Sequence, residues 1–147
     1  MESLIYRLQD QVAERLRRLN RAPVVARRPR QTESDLDAEL AQVALGFFVF
    51  PPLLRQIRPN STGLFAEEIE IRVSCFEQPS VNNTPLTAYH LVELGLYQLH
   101  HWQPALDLVG MLYAREQPVA DTSAGELTVF DLTFLTSGGY APRPAHL

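Results

Sequence analysis

The chain has 147 residues, 46% of them hydrophobic and 20% charged, and a net charge of −4. That is enough for one packed core and too little for two, and the composition is that of a folded domain rather than a disordered segment. No apolar run approaches the ~20 residues that a bilayer-spanning helix needs, and the opening MESLIYRLQDQV lacks the apolar stretch of a secretory signal.

The charge is unevenly laid out. Residues 1–30 set eight arginines against Glu2, Asp10 and Glu14, a net +5, while residues 31–147 carry a net −9. An acidic body argues against general nucleic-acid binding, which rests on neutralising phosphates. A basic first segment suits docking on an acidic neighbour, another copy of the chain included.

Residues 2–20 predict an amphipathic helix, with Leu4, Ile5, Leu8, Val12, Leu16 and Leu19 at three- and four-residue spacing and Arg15, Arg17 and Arg18 at the end the helix dipole favours. Residues 21–35 read as a basic linker, exposed at Arg27, Arg28 and Arg30, with a short strand at Val24–Ala26; Pro23 and Pro29 bar a helix. Ser34 or Asp35 then caps a short second helix through Leu36, Leu40, Val43 and Ala44, ended near Gly46. Phe47–Phe50 is a buried strand that Pro51-Pro52 interrupts, with Leu53–Ile57 resuming after a bend. Arg58–Gly63 is loop chemistry.

Phe65–Glu77 alternates Ile69, Ile71, Val73 and Cys75 with Glu68, Glu70, Arg72 and Ser74, a strand with one buried and one wet face that pairs antiparallel with the segment before it. Thr84 and Pro85 open a long central helix to Trp102 that is apolar over most of its circumference, with a polar line at Thr87, His90, Glu93, Gln98 and His101. Such a helix is expected to lay one face on the sheet and the other, through Leu91, Leu94 and Tyr97, against a second subunit. Leu106–Tyr113 fits strand and short helix equally, Pro118–Gly125 is loop, and Glu126–Thr136 is a strand inside the sheet that Ser137-Gly-Gly139 stops. Residues 140–147 read as an extended tail. The expectation is one α+β domain over 1–147: an antiparallel sheet of about four strands, packed by the central helix, with an N-terminal amphipathic helix and a short second one.

Catalytic chemistry finds no support. Cys75 is the one cysteine, which leaves no internal disulfide and fits a reducing compartment, and it faces inward. There is no nucleophile elbow and no phosphate-cradling loop. His90 and Glu93 share metal-like spacing but lack partner carboxylates on another helix. On a continuous helix His100 and His101 point apart and cannot chelate together. No catalytic residue, cofactor or metal site is expected.

The order of parts is itself informative. An amphipathic helix and a basic linker precede an apolar strand carrying PP and a segment with RPN; then come EQPSVNN, the pattern LxxLHxWxP at Leu96, Leu99, His100, Trp102 and Pro104, and FDLTFLTSGG. From Leu4 to Gly139 this layout resembles the tail terminator, or tail-completion, proteins of long-tailed bacteriophages and the related cap proteins of contractile injection systems. The resemblance implies a non-enzymatic virion subunit, assembled in the host cytoplasm, that forms a ring, commonly a hexamer, on the last disc of the tail tube. That ring ends tube growth and offers the surface for head joining. Implied partners are further copies, the tail tube protein, a sheath protein in contractile tails, a neck or head-completion protein, and DNA passing through the lumen unbound; no membrane is involved. In such a ring Glu67, Glu68, Glu70 and Arg72 are lumen candidates, and Arg27, Arg28 and Arg30 contact candidates. The rival readings are another ring-forming head–tail joint protein and a small cystatin-like enzyme or ligand-binding domain.

Overall fold

The computed structural model describes residues 3–60, 63–106, 109–115, 120–121 and 127–142. Along them run α1 (Leu4–Arg17), β1 (Val24–Ala26), α2 (Glu33–Leu40), β2 (Leu45–Val49), β3 (Leu53–Asn60), β4 (Gly63–Glu77), α3 (Ala88–Leu99), β5 (Tyr113–Ala114), β6 (Ala120–Asp121), β7 (Thr128–Thr136) and β8 (Gly139–Pro142). The class is α+β, as the sequence indicates. The sheet holds eight strand segments among the described residues, not about four, and it is mixed, because β1 pairs parallel with β2.

β4 is the spine. One flank carries β2 and then β3, the other β7 and then β8, all antiparallel. Val49 lies opposite Val73 and Leu53 opposite Glu70, so one extra residue is accommodated at Phe50-Pro51-Pro52. A bulge is where two missing N–H donors cost least. Arg58–Asn60, expected as loop, continue β3 to the Asn60–Gly63 pair. β8 likewise extends the line of β7, so the stretch expected as a free tail is paired through Pro142; residues 143–147 lie outside the described residues. A crease crosses the sheet beside Glu67, where Gln56 (φ 51°) drops out of one ladder and Gly138 (φ 82°) breaks the other.

The alternation read in β4 sets the core. Ile69, Ile71, Val73 and Cys75 are fully buried, with Phe47, Leu132 and Phe134 beside them. α1 and α3 cover this face antiparallel to each other, contributing Leu8, Val12, Leu16, Ala88, Leu91 and Leu99. Gly95 admits the close approach of α3 to the sheet, since a Cβ there would stand 2.8 Å from Leu132 Cδ1. Buried Gln9 donates to the carbonyls of Arg27 and Val49, both at 3.0 Å, and so ties α1 to β1 and β2. The reciprocal pair Arg15–Gln98 ties α1 to α3.

The central helix is shorter than its apolar run. Thr87 is its N-cap, not Thr84, whose N–H and hydroxyl both go to Asn82 Oδ1. Asn82 in turn donates to Glu77 and to the Leu86 carbonyl, and Glu77 accepts the Ala88 N–H, which places a carboxylate at the helix start. At the other end His101 donates its N–H to the Leu112 carbonyl and Leu112 donates to the Trp102 carbonyl, so the chain leaves the helix after Leu99. α2 is capped by Thr32, which accepts the Asp35 N–H, rather than by Ser34 or Asp35. Leu106–Tyr113 forms no regular element in its described part before β5, and Asp107 and Leu108 lie outside it.

Candidate assembly surfaces

α3 was expected to need a second subunit to cover its apolar circumference. The structure corrects this: Leu91 is fully buried and Val92, Leu94 and Leu96 are half-buried against the chain's own core. α1 packs beside α3 and supplies part of the cover, the Arg15–Gln98 pair joining the two. Leu91 is therefore no contact residue and Leu94 is largely occupied. What α3 does present is a ridge of Tyr89, His90, Glu93 and Tyr97, with Tyr97 83% exposed.

The basic linker is partly committed. The Arg27 carbonyl accepts from Gln9, and its side chain is half-buried. Arg28 bonds Glu39 of α2 at 3.0 Å, and Gln31 donates to the same carboxylate. Arg30 is exposed, in the left-handed region at φ 62°. Linker and α2 thus form one unit, acidic on its outer side through Glu33, Asp35 and Asp37.

The acidic strand differs more from expectation. Glu70 is 6% exposed, held by Arg55 at 2.7 Å and Arg115 at 3.3 Å. The hydrogen bond from Arg55 holds its carboxyl below the ordinary range although burial acts the other way, and Glu70 reciprocally raises the Arg55 guanidinium. Glu68 also faces Arg55, and Glu67 pairs with Arg58. Glu70 accordingly presents no charge to a lumen, while Glu67 and Glu68 are compensated. Arg72 is exposed, its guanidinium 4.6 Å from the Phe50 ring centroid. The wet face was read as uniform because arginines from β3 and from the segment after β5 could not be placed over it.

The same face holds a feature the sequence reading missed. Past Arg72 the strand turns apolar on its second side, and Phe48, Phe76 and Val25 form a small core of their own with Leu36, Leu40 and Val43 beside it. Between α2 and this floor lies a groove of about 580 Å³, lined by Leu36, Leu40, Phe48, Phe50, Phe76 and Val129 among others. The available signal was the unbroken apolar phase of Phe47–Phe50, which leaves an aromatic on each side of the sheet. A smaller, more polar hollow of about 280 Å³ lies between α1 and Trp102.

Among the described residues no three His, Cys, Asp or Glu side chains converge on a metal-sized site. His100 and His101, expected to diverge, stack with ring centroids 3.8 Å apart because they lie beyond the helix end. His100 Nδ1 accepts the Ala114 N–H, so in the neutral ring the proton sits on Nε2 and no lone pair is left for a metal. His90 Nδ1 accepts the Thr87 N–H and so is committed to the N-cap of α3. Burial, with a lesser push from Asp131, drives the Cys75 thiol far above its ordinary range, and this residue stays a core filler.

No protein-family model matches the chain, and no curated protein does. Solved structures do. A chain from the structure described as "Virion of native gene transfer agent (GTA) particle" superposes with a TM-score of 0.63 at 14% identity, over 93% of this chain and 98% of that one. The fold is similar to that of a virion chain. At this identity the likeness is one of fold.

Proposed function

We propose that the chain is a structural subunit of a phage-type virion, which forms a ring on the head-proximal end of the tail tube, ends tube growth and provides the surface for head joining. The observation that carries the reading is the near full-length likeness to a chain of a gene transfer agent virion. It agrees with the terminator-like order of sequence motifs, and with a surface that offers tyrosines, an apolar groove and segregated charge rather than a reaction centre. On this reading the chain is not an enzyme. Its partners are further copies of itself, commonly six to a ring, the tube subunit below, a sheath subunit where the tail contracts, and a neck or head-completion subunit above, with DNA passing unbound.

Deletion of the chain from a producing strain tests this directly. Tubes of uncontrolled, excessive length are the expected result, seen by electron microscopy of negatively stained particles. Tails of normal length left unjoined to filled heads would instead make it a neck protein. Particles normal in both respects would overturn a virion-joint role.

A further inference from the structure

We infer that this chain associates head to tail with a second copy of itself, the α1–α3 layer of one copy seating on the α2 groove of the next, with Tyr97 as the inserted side chain. This deepens the ring reading above, on which it rests only for the closure of successive contacts.

Two observations come from the groove. Half-buried Phe50 and the nearly buried Phe48 and Phe76 floor a trough of about 580 Å³, more than enough for one aromatic side chain. Its wall, α2, has eight residues and not one of them is buried, although Leu36 and Leu40 line the trough. A helix of two turns does not sustain itself in water and depends on packing. The chain's own packing on α2 is one-sided and incomplete.

Two more come from the opposite layer. Tyr97 is the most exposed large apolar side chain among the described residues, at 83%. Gln98, next to it in the chain, is bonded to Arg15, which ties the α3 turn that carries Tyr97 to the arginine-rich end of α1, where Arg18 is exposed and Arg17 is paired with Glu14. Glu14 on this layer is already paired with Arg17, leaving Asp10 and Glu93 as its other acids. α2 carries Glu33, Asp35 and Asp37 and no base, its fourth acid Glu39 being paired with Arg28.

An aromatic side chain on the layer that carries the arginines thus matches an apolar trough beside carboxylates on the other. The sheet lies between them, so no chain can join its own two patches, and the occupant is a second copy. A two-fold dimer through α2 would set carboxylates against carboxylates. A contact between unlike patches is heterologous, the type that generates a ring where its rotation closes and a filament where it does not.

Disulfide trapping of the full-length chain tests the contact. One preparation carries Tyr97→Cys and a second Ala41→Cys, at the exposed end of α2 on the groove wall. The buried Cys75 keeps the background low. A cross-linked dimer is expected on oxidation of the mixture and not of either variant alone, and a chain bearing both changes should give a ladder. Tyr97→Ser should weaken association by roughly tenfold or more in sedimentation equilibrium while leaving the circular dichroism and Tm unchanged. Cross-links formed equally by each variant alone, or their absence both in solution and in purified particles, would overturn the inference. The two proposals separate cleanly. Runaway tubes on deletion without a Tyr97–Ala41 cross-link in particles defeat this contact and leave the terminator reading. A cross-link in a strain whose tails and joining are indifferent to deletion does the opposite.

Discussion

Gly46 and Glu70 show how much of this fold depends on single positions. Gly46 sits in β2 where β1 arrives, and a Cβ there would lie 2.9 Å from the Pro23 carbonyl oxygen and 2.9 Å from Val43 Cγ1. The carbonyl cannot retreat, because it accepts the Phe47 N–H at 2.9 Å. Gly46→Ala should therefore cost about 1–3 kcal/mol, the range for forced overpacking, read as a lower urea midpoint with an unchanged slope. Glu70 is a different case, a carboxylate nearly out of water whose cost is offset by Arg55 and Arg115. Its folded carboxyl titrates below the ordinary value of 4.5, so its stabilisation is complete above that value and drains away as pH falls through the folded one. Glu70→Gln should lower stability at neutral pH by about 1–2 kcal/mol, a figure reduced because Arg55 is half-exposed. It should also flatten the decline of Tm between neutral and acid pH, and an equally steep decline in the variant would count against the pairing.

Elements whose apolar periodicity is long and regular were legible in the sequence; those decided by distant partners were not. α1 and β4 follow from spacing alone, since one face of each must leave water wherever the chain goes, and β7 follows from its β-branched and aromatic content. The start of α3 was misplaced because Thr84-Pro85 is a sound local signal that Glu77 and Asn82 override. Arg58–Asn60 have loop chemistry and yet pair as a strand, because a backbone partner is already aligned opposite them. The groove had one local signal, the aromatics that Phe47–Phe50 leaves on both sides of the sheet, and the rest of its lining comes together only in space from α2, β2, β4 and β7. α2 is also the element least secured by its own chain, held at its start by the Thr32 cap and along its side by half-buried leucines. Its amides at Leu36–Leu40 should exchange with deuterium orders of magnitude faster than those at Leu91–Leu99, and Thr32→Ala should speed them further with little loss of global stability. Equal protection of the two helices in the isolated chain would mean that α2 folds with the core.

At the scale of the whole molecule, assembly through unlike faces requires that the sheet edges stay out of it. Among the described residues the outer side of β3 pairs with nothing, so a row of backbone donors and acceptors lies open. That edge could add strands from other copies without limit and compete with any closed contact. Several residues blunt it. Pro59 offers no N–H, Gln56 at φ 51° kinks the ladder, and Arg55 and Arg58 place charge along it, each fixed to a β4 carboxylate. This gives the ion pairs Arg55–Glu70 and Arg58–Glu67 a second purpose, since an arginine anchored at the edge cannot swing aside for an incoming strand. Replacing Gln56, Arg58 and Pro59 together with valine should leave the core untouched, because none of the three contributes to it. It should also convert a chain of defined assembly state into one that forms large, thioflavin-binding aggregates at concentrations where the parent scatters no light. Unchanged scattering from the triple variant, with its fold intact by circular dichroism, would show that the edge is protected by some other means and that these residues serve only the local bend.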